Sequence, residues 1–366
     1  MNESPVKIWL GMNLQGWFRL LKMNQFDFDS AHRRDVAVIT LASVSHALRR
    51  RWQRRFMGGK IERTVLHDAP LFIIGHWRSG TTYLHNLFSQ DPRFVYPTTS
   101  QCMSPNSFLL VGPVGKFITR RLLSPSKRPM DEMDISFESP QEDEFGLCNL
   151  GLPSPYLKVA FPNRPEPYPG SLDLEGLDPR LLDQWKKGFV HFLKTVSYAK
   201  PGRILLKSPT RTCRIKTLLE LFPKAQFLHI VRSPYSVIPS TINLWHKIYP
   251  LQALQQPDFS GLESYVFEQY DHVMNRVEET KSLVPAGQFC EVRYEDVVPD
   301  PAGAMARVYA ELKLGAFEAV RPNVEKYLAT LHGYKKNRWD LSPVLRERIA
   351  KQCDRVIRKY GYSNGG

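Results

Sequence analysis

A run of bulky apolar residues that ends in glycine and passes directly into a helix constrains this chain more than any other feature. Pro70-Leu71-Phe72-Ile73-Ile74 is apolar without alternation, as in a strand buried on both faces, and Gly75 ends it. From Thr81 the spacing becomes helical: Leu84, Leu87 and Phe88 share a face until Asp91-Pro92 stops the run near Gln90. A strand covered on both sides needs a parallel sheet with helices over it, so strands and helices must alternate elsewhere in the chain. They do so beyond residue 200. Ile204-Leu205-Leu206 reads as a strand, Ile215, Leu218, Leu219 and Phe222 as a helix face, and Phe227 to Val231 as a strand. Helices from Pro234, over Leu262 to Lys281, from Pro301 and from Pro343 follow, with a strand over Phe289 to Tyr294 among them. The fold class is therefore α/β, a central parallel sheet flanked by helices.

Ahead of this pattern, residues 1–66 read as a helical N-terminal extension to a domain over 67–362. Residues 97–170, rich in proline, serine and charge, read as loops and short helices over a site. In the extension, Ile8, Trp9, Met12, Trp17, Leu20 and Leu21 form an apolar stripe that either docks on the core or enters lipid. The run Arg49-Arg50-Arg51-Trp52-Gln53-Arg54-Arg55 is either a solvated basic face or a contact with a membrane surface or partner. With 50 Lys and Arg against 36 Asp and Glu, the net charge of +14 draws anions of several kinds and does not choose among them. Five scattered cysteines without a C-x-x-C pair suggest neither a zinc site nor a disulfide framework, and no metal is expected. The N-terminus lacks the order of a signal peptide, and Val36 to Leu48 is too short to span a bilayer. A cytoplasmic protein is expected, with peripheral membrane contact through the extension left open.

The junction Gly75-His76-Trp77-Arg78-Ser79-Gly80-Thr81-Thr82-Tyr83 carries the first chemical signal. A strand-to-helix turn offers free N–H groups and the positive end of a helix dipole, a ready place for a phosphate or sulfate oxygen. Gly80 permits the turn, Arg78 brings charge, and Ser79, Thr81 and Thr82 bring hydroxyls. A Walker A loop would place lysine after the second glycine and a hydroxyl on Mg²⁺. Here Thr81 takes the lysine's place and the cation lies before the glycine.

Arg-Ser-Gly-Thr-Thr after an apolar strand resembles the 5'-phosphosulfate loop of sulfotransferases that use 3'-phosphoadenosine 5'-phosphosulfate (PAPS). Arginine at Arg78 is closer to the bacterial and tyrosylprotein branches than to the cytosolic aryl and steroid enzymes. A second match lies at Phe227 to Tyr235 with Ser240, resembling the family's 3'-phosphate motif of strand, arginine (Arg232), turn and helix serine. An arginine fork at a strand end and a hydroxyl in the next helix suit a phosphate. Val292-Arg293-Tyr294-Glu295-Asp296 resembles the family segment whose tyrosine lies near the adenine, although Tyr294 also suits a core position. Lys335-Lys336-Asn337-Arg338 is either the basic loop over the 3'-phosphate or a solvated charge run. The resemblance covers 70 to 360 and implies a P-loop-like sulfotransferase fold, PAPS as donor, PAP as product, and a hydroxyl or amine acceptor, small-molecule or lipid-like. No nucleic acid partner is expected, and the oligomeric state stays open.

Lys207, ending the strand at Leu205-Leu206, resembles the family lysine that reaches the bridging oxygen. The base is not inherited. Where many bacterial relatives carry histidine in K-x-P-x-H-T this chain has Arg211, whose guanidinium cannot act as a base near neutral pH. The glutamate of the tyrosylprotein branch has no counterpart in Pro97-Thr98-Thr99-Ser100. Glu142, Asp143 and Glu144 are the remaining carboxylates for that role, against a reading as a solvated acidic loop or as structural partners of arginines. Two other classes stand beside the enzyme reading. An ATP-dependent P-loop kinase lacks its Walker lysine here, and a non-catalytic nucleotide-binding module does not explain two phosphate motifs on strand ends.

Overall fold

The computed structural model describes residues 7–110, 126–127, 134–331 and 339–362. The chain forms two compact units. One comprises Met1–His67, Val95–Ile204 and His246–Asp258, and the other Asp68–Phe94, Leu205–Trp245 and Phe259–Gly366.

The second unit is built on the sheet. Strands β1 (Leu71–Ile74), β2 (Phe94–Val95), β5 (Arg203–Lys207), β6 (Gln226–Val231) and β7 (Phe289–Arg293) stand in the order β2-β5-β1-β6-β7. A two-stranded antiparallel pair, β3 (Ser126–Lys127) with β4 (Asp134–Ile135), lies outside it. β1 runs parallel to β5 on one side and to β6 on the other, and β6 runs parallel to β7. All four residues of β1 are buried, which explains its unbroken apolar sequence. Phe72 and Phe227 stack across the β1–β6 pair at 5.5 Å. Because the chain places β5 and β6 on opposite sides of β1, the strand order reverses there. Ligands of open α/β sheets bind outside the carboxyl ends of the strands at such a reversal.

The helices follow the sequence pattern with small differences. The first unit holds α1 (Leu14–Met23) and α2 (Arg33–Glu62), followed in chain order by α3 (Thr81–Phe88) of the second unit. α3 ends at Phe88, two residues short of Gln90, and beyond it Asp91 accepts from the Arg93 amide in a turn of its own. α4 (Thr99–Met103) and α5 (Asp143–Asn149) are the short helices expected between 97 and 170. The helix α6 (Pro179–Ala199) was not anticipated. Its Asp178 cap, Pro179 at the first position and a face of Trp185, Phe189, Phe192 and Val196 were signals for it. Then come α7 (Ile215–Leu221), α8 (Pro234–Gln252), α9 (Leu262–Thr280), α10 (Tyr294–Val297), α11 (Pro301–Glu311), α12 (Arg321–Ala329), α13 (Pro343–Gln352) and α14 (Asp354–Tyr360). Tyr294, expected to end a strand, starts the one-turn helix α10 instead.

Within the first unit, the N-terminal stripe is internal. Trp9, Met12, Trp17, Leu20 and Leu21 are buried, and the Trp9 indole donates to the Gln252 carbonyl at 2.8 Å. These side chains therefore dock on protein, and none of them is available to lipid. All five cysteines are buried, and none of them forms a disulfide. Among the described residues no helix is long and apolar enough to cross a membrane.

Candidate active site

In a parallel sheet every strand delivers its carboxyl end to the same edge. β1 therefore hands over to the loop at Gly75, β5 to Lys207, β6 to Arg232 and β7 to Tyr294, all side by side. The register sets Ile73 opposite Lys207, Ile74 opposite His229 and Val231 opposite Arg293.

The loop after β1 is held from within. The Thr212 hydroxyl accepts from the Gly75 amide at 2.8 Å and donates to the Gly75 carbonyl at 3.1 Å, pinning the strand end to the turn after β5. Ser79 turns inward, with its amide (3.2 Å) and its hydroxyl (2.7 Å) both donating to the His76 carbonyl. His76 is buried and its imidazole is pushed down to about 4 by that burial, so it adds no charge to the loop near neutral pH. Arg78 takes a left-handed backbone with φ 68°, an uncommon state for a residue with a side chain. Gly80 follows at φ 106° and caps α3. A glycine cap brings no side chain of its own to the first turn of α3, the end of the helix at which N–H groups point outward.

Residues far apart in sequence meet around this loop. The Arg78 Nε donates to the Ser240 hydroxyl on α8 at 2.9 Å, and Arg232 donates from Nη1 to the Arg78 carbonyl at 3.1 Å. The Arg232 guanidinium lies 4.2 Å from the centre of the Tyr294 ring. That ring also abuts Gly80, where a Cβ would come within 2.4 Å of Cδ2. Tyr294 thus lies against both Arg232 and Gly80, beyond either role read from sequence. From β5, the Lys207 Nζ donates to the Thr82 hydroxyl at 3.2 Å. Lys207 is only 2% exposed, contrary to the usual lot of a strand-end lysine. One turn along α3, burial first and the Lys207 charge second hold the His85 imidazole well below its ordinary value. Burial raises the Tyr83 phenol to about 12, helped by Tyr327 and Tyr294. The structure therefore gathers Arg78 to Tyr83, Lys207, Arg232, Ser240 and Tyr294 at one edge. Lys335, Lys336 and Asn337 lie outside the described residues.

Thr212 is a positioning residue that sequence reading passed over, although it stands in the Ser208-Pro209-Thr210-Arg211-Thr212 turn next to the puzzling arginine. Arg211 and Arg214 are both fully buried in and after that turn.

The acidic run belongs to the other compact unit. It is no solvated loop: Glu142 caps α5, Asp143 and Glu144 form its first turn, and all three are buried. Carboxylates at a helix N-terminus complement its dipole. Asp143 and Glu144 have no exposed surface, while Glu142 keeps 8% and accepts from the Tyr156 hydroxyl at 2.7 Å. Phe145 packs on Tyr156 with ring centres 5.3 Å apart, so the phenol that donates to Glu142 belongs to an aromatic pair. Two further aromatics of the 97–170 stretch are also buried, Phe161 fully and Phe108 nearly so.

Chemically, the carboxyl edge presents guanidinium, ammonium, hydroxyls and a helix N-terminus, a set suited to a multiply charged anion. Comparison with known proteins agrees. A family model described as "Sulfotransferase family" matches residues 70–318. The omega-hydroxy-beta-dihydromenaquinone-9 sulfotransferase Stf3 of Mycobacterium bovis is 41% identical over 360 residues, covering 98% of this chain and 92% of its own. The Mycobacterium tuberculosis protein of the same name matches to the same extent. Among solved structures, sulfotransferase STF9 from Mycobacterium avium resembles the chain with a TM-score of 0.72 at 19% identity, over 98% of this chain and 93% of that one. This last likeness is one of fold.

Proposed function

The chain belongs to the sulfotransferase family and is a PAPS-dependent sulfotransferase, and we propose that its donor is held by the cluster at the carboxyl edge of the sheet. The donor set suits the nucleotide: two arginines and a lysine converge with hydroxyls on a glycine-capped helix. When bound, PAPS supplies the sulfuryl group and leaves as the 3',5'-bisphosphate.

The amides of Thr81 to Tyr83, the Thr81 and Thr82 hydroxyls and Arg78 hold the 5' side. Ser79 and Thr212 keep that loop in shape through their bonds to His76 and Gly75. Lys207, set on Thr82, places its ammonium where charge grows on the leaving oxygen. Arg232 and Ser240 take the 3'-phosphate, and Tyr294 props the Arg232 fork. The observation that carries this reading is the Arg78–Ser240 hydrogen bond, which joins the two phosphate motifs across 162 residues of sequence.

For the acceptor we propose a lipid-like molecule with a terminal hydroxyl. The relative at 41% identity is named for an omega-hydroxy menaquinone derivative, and the Glu142 carboxylate accepts from Tyr156, which packs on Phe145. Glu142 is the base that accepts the hydroxyl proton, steadied by Tyr156, while the more deeply buried Asp143 and Glu144 hold the helix in place.

Calorimetry with 3',5'-adenosine bisphosphate, ADP and ATP with Mg²⁺ tests the donor site. Binding of the bisphosphate well ahead of the other two is expected, and equal affinity for ADP would sink the assignment. Glu142→Gln should lower turnover at saturating PAPS about 100-fold or more, the contribution of a positioned base, and leave bisphosphate affinity unchanged. Wild-type turnover in that variant would remove Glu142 from the mechanism.

A further inference from the structure

Among the described residues, thirteen large apolar side chains are exposed, and ten of them lie between Leu14 and Phe56. Six belong to α2: Val38, Leu41, Val44, Leu48, Trp52 and Phe56. They recur at three- and four-residue steps and therefore share one face of the helix. Leu41, Trp52 and Phe56 are 72%, 65% and 65% exposed. The opposite face, with Ile39, Ser43, His46, Gln53 and Ile61, is the buried one. The stripe is about 27 Å long at the helical rise, and Trp52 and Phe56 pack edge to face at 6.1 Å near its end. α1 adds Phe18, paired with Phe26 at 5.8 Å, to the apolar surface of the same unit.

The charge beside the stripe indicates what covers it. α2 carries seven arginines and one lysine against two carboxylates. Both carboxylates are engaged, Asp35 with His32 and Lys7 and Glu62 with His191 and Lys194. Arg51 and Arg55 stand on the exposed side among the apolar residues, and both are exposed. A two-fold contact with a second copy would set this basic rim against its own image, a like-charge pairing that interfaces avoid. A helix this charged does not cross a bilayer. It suits the boundary of an anionic one, with aromatics among the acyl chains and arginines at the phosphates.

We propose that the outer face of α2 is a docking surface for an anionic phospholipid bilayer. The geometry identifies different residues from the stripe that stands out in the sequence, since Trp9, Trp17 and their neighbours are buried. For its purpose, bringing the enzyme to a membrane-dissolved acceptor, the proposal rests on the lipid-acceptor reading above; for binding itself it does not.

The test is flotation of the full chain with phosphatidylcholine vesicles, with and without phosphatidylglycerol. Binding should need the anionic lipid and weaken with salt. Leu41→Gln with Trp52→Gln should lower partitioning at least about tenfold. Arg51→Glu with Arg55→Glu should lower it by about fivefold or more for each arginine lost. These positions lie outside the donor site, so bisphosphate binding should stay at the wild-type level in both variants and report that they are folded. Wild-type partitioning in both variants would overturn the proposal. So would a concentration-dependent dimer, abolished by Trp52→Gln, in a chain that ignores vesicles. Failure to bind the bisphosphate would overturn the donor-site reading and leave the vesicle result standing.

Discussion

At Gly80 two constraints coincide. Its φ of 106° is a state that L side chains rarely adopt, and a Cβ there would press to 2.4 Å against the Tyr294 ring. Gly80→Ala should therefore cost about 1–3 kcal/mol of stability and displace the Tyr294 ring that lies against Arg232. Thermal unfolding and bisphosphate titration together check this, and a wild-type result in both would mean that the ring has room to move. Arg232 makes a different kind of statement, about selectivity. A guanidinium–phosphate hydrogen bond contributes about 1.5–3 kcal/mol, so Arg232→Ala should weaken the 3',5'-bisphosphate about 10- to 100-fold. Affinity for adenosine 5'-phosphate should hardly change. Equal losses for the two ligands would move Arg232 away from the 3' side. Both residues were visible in the sequence by type and spacing. Their shared dependence on Tyr294 was not, because it is a contact between strand ends.

Among the elements, β6 and β7 are joined by a side-chain bridge as well as by their ladder. His229, fully buried on β6, contacts Glu291 on β7 at 2.8 Å, and Tyr360 of α14 donates to the same carboxylate oxygen at 2.9 Å. Burial by itself would raise the Glu291 carboxyl, but the His229 and Tyr360 hydrogen bonds and nearby positive charge bring it down to about 2. A carboxyl whose value falls on folding stabilises the fold above its unfolded value near 4.5. That contribution is lost as the pH falls from there towards 2. Urea unfolding at pH 6 and at pH 3 should therefore show a smaller drop for Glu291→Gln than for the native chain. Equal drops would show that the bridge plays no part in acid sensitivity. The acidic run on α5 teaches a related lesson. Its composition suggested a solvated loop, yet tertiary packing buries all three carboxylates, which composition alone does not report.

For the whole molecule, the net charge of +14 and the converging carboxyl ends act at different ranges. On the proposed donor-site reading the ends select the anion, while the field of the entire chain affects how fast any anion arrives. Stopped-flow association of the bisphosphate should slow several-fold as ionic strength rises towards and beyond physiological values, where charges about 8 Å apart begin to be screened. Dissociation should change less, because contacts within the site are short. A rate indifferent to salt would confine the role of charge to the site. The same excess of arginine, concentrated on α2 beside exposed Trp52 and Phe56, provides the surface proposed for lipid.

The sequence by itself determined the sheet class, the strand-to-helix turn at Gly75–Thr82 and the choice of Arg78, Arg232 and Ser240 as residues that belong together. These depend on local periodicity and on a few residues whose chemistry is specific. It also led to Lys207, through its place at a strand end. Only the tertiary structure decided that Lys207 is buried against Thr82, that Thr212 clasps Gly75 and that Tyr294 lies under Arg232. The same holds for the apolar side chains before residue 57, of which some face protein and others solvent. The physical reason is common to these cases. Burial and side-chain pairing are set by what the rest of the chain brings alongside, whereas periodicity records only that a face exists. The loop after β1 could be recognised from its own residues, but the partners that give it shape come from β5, β6 and β7.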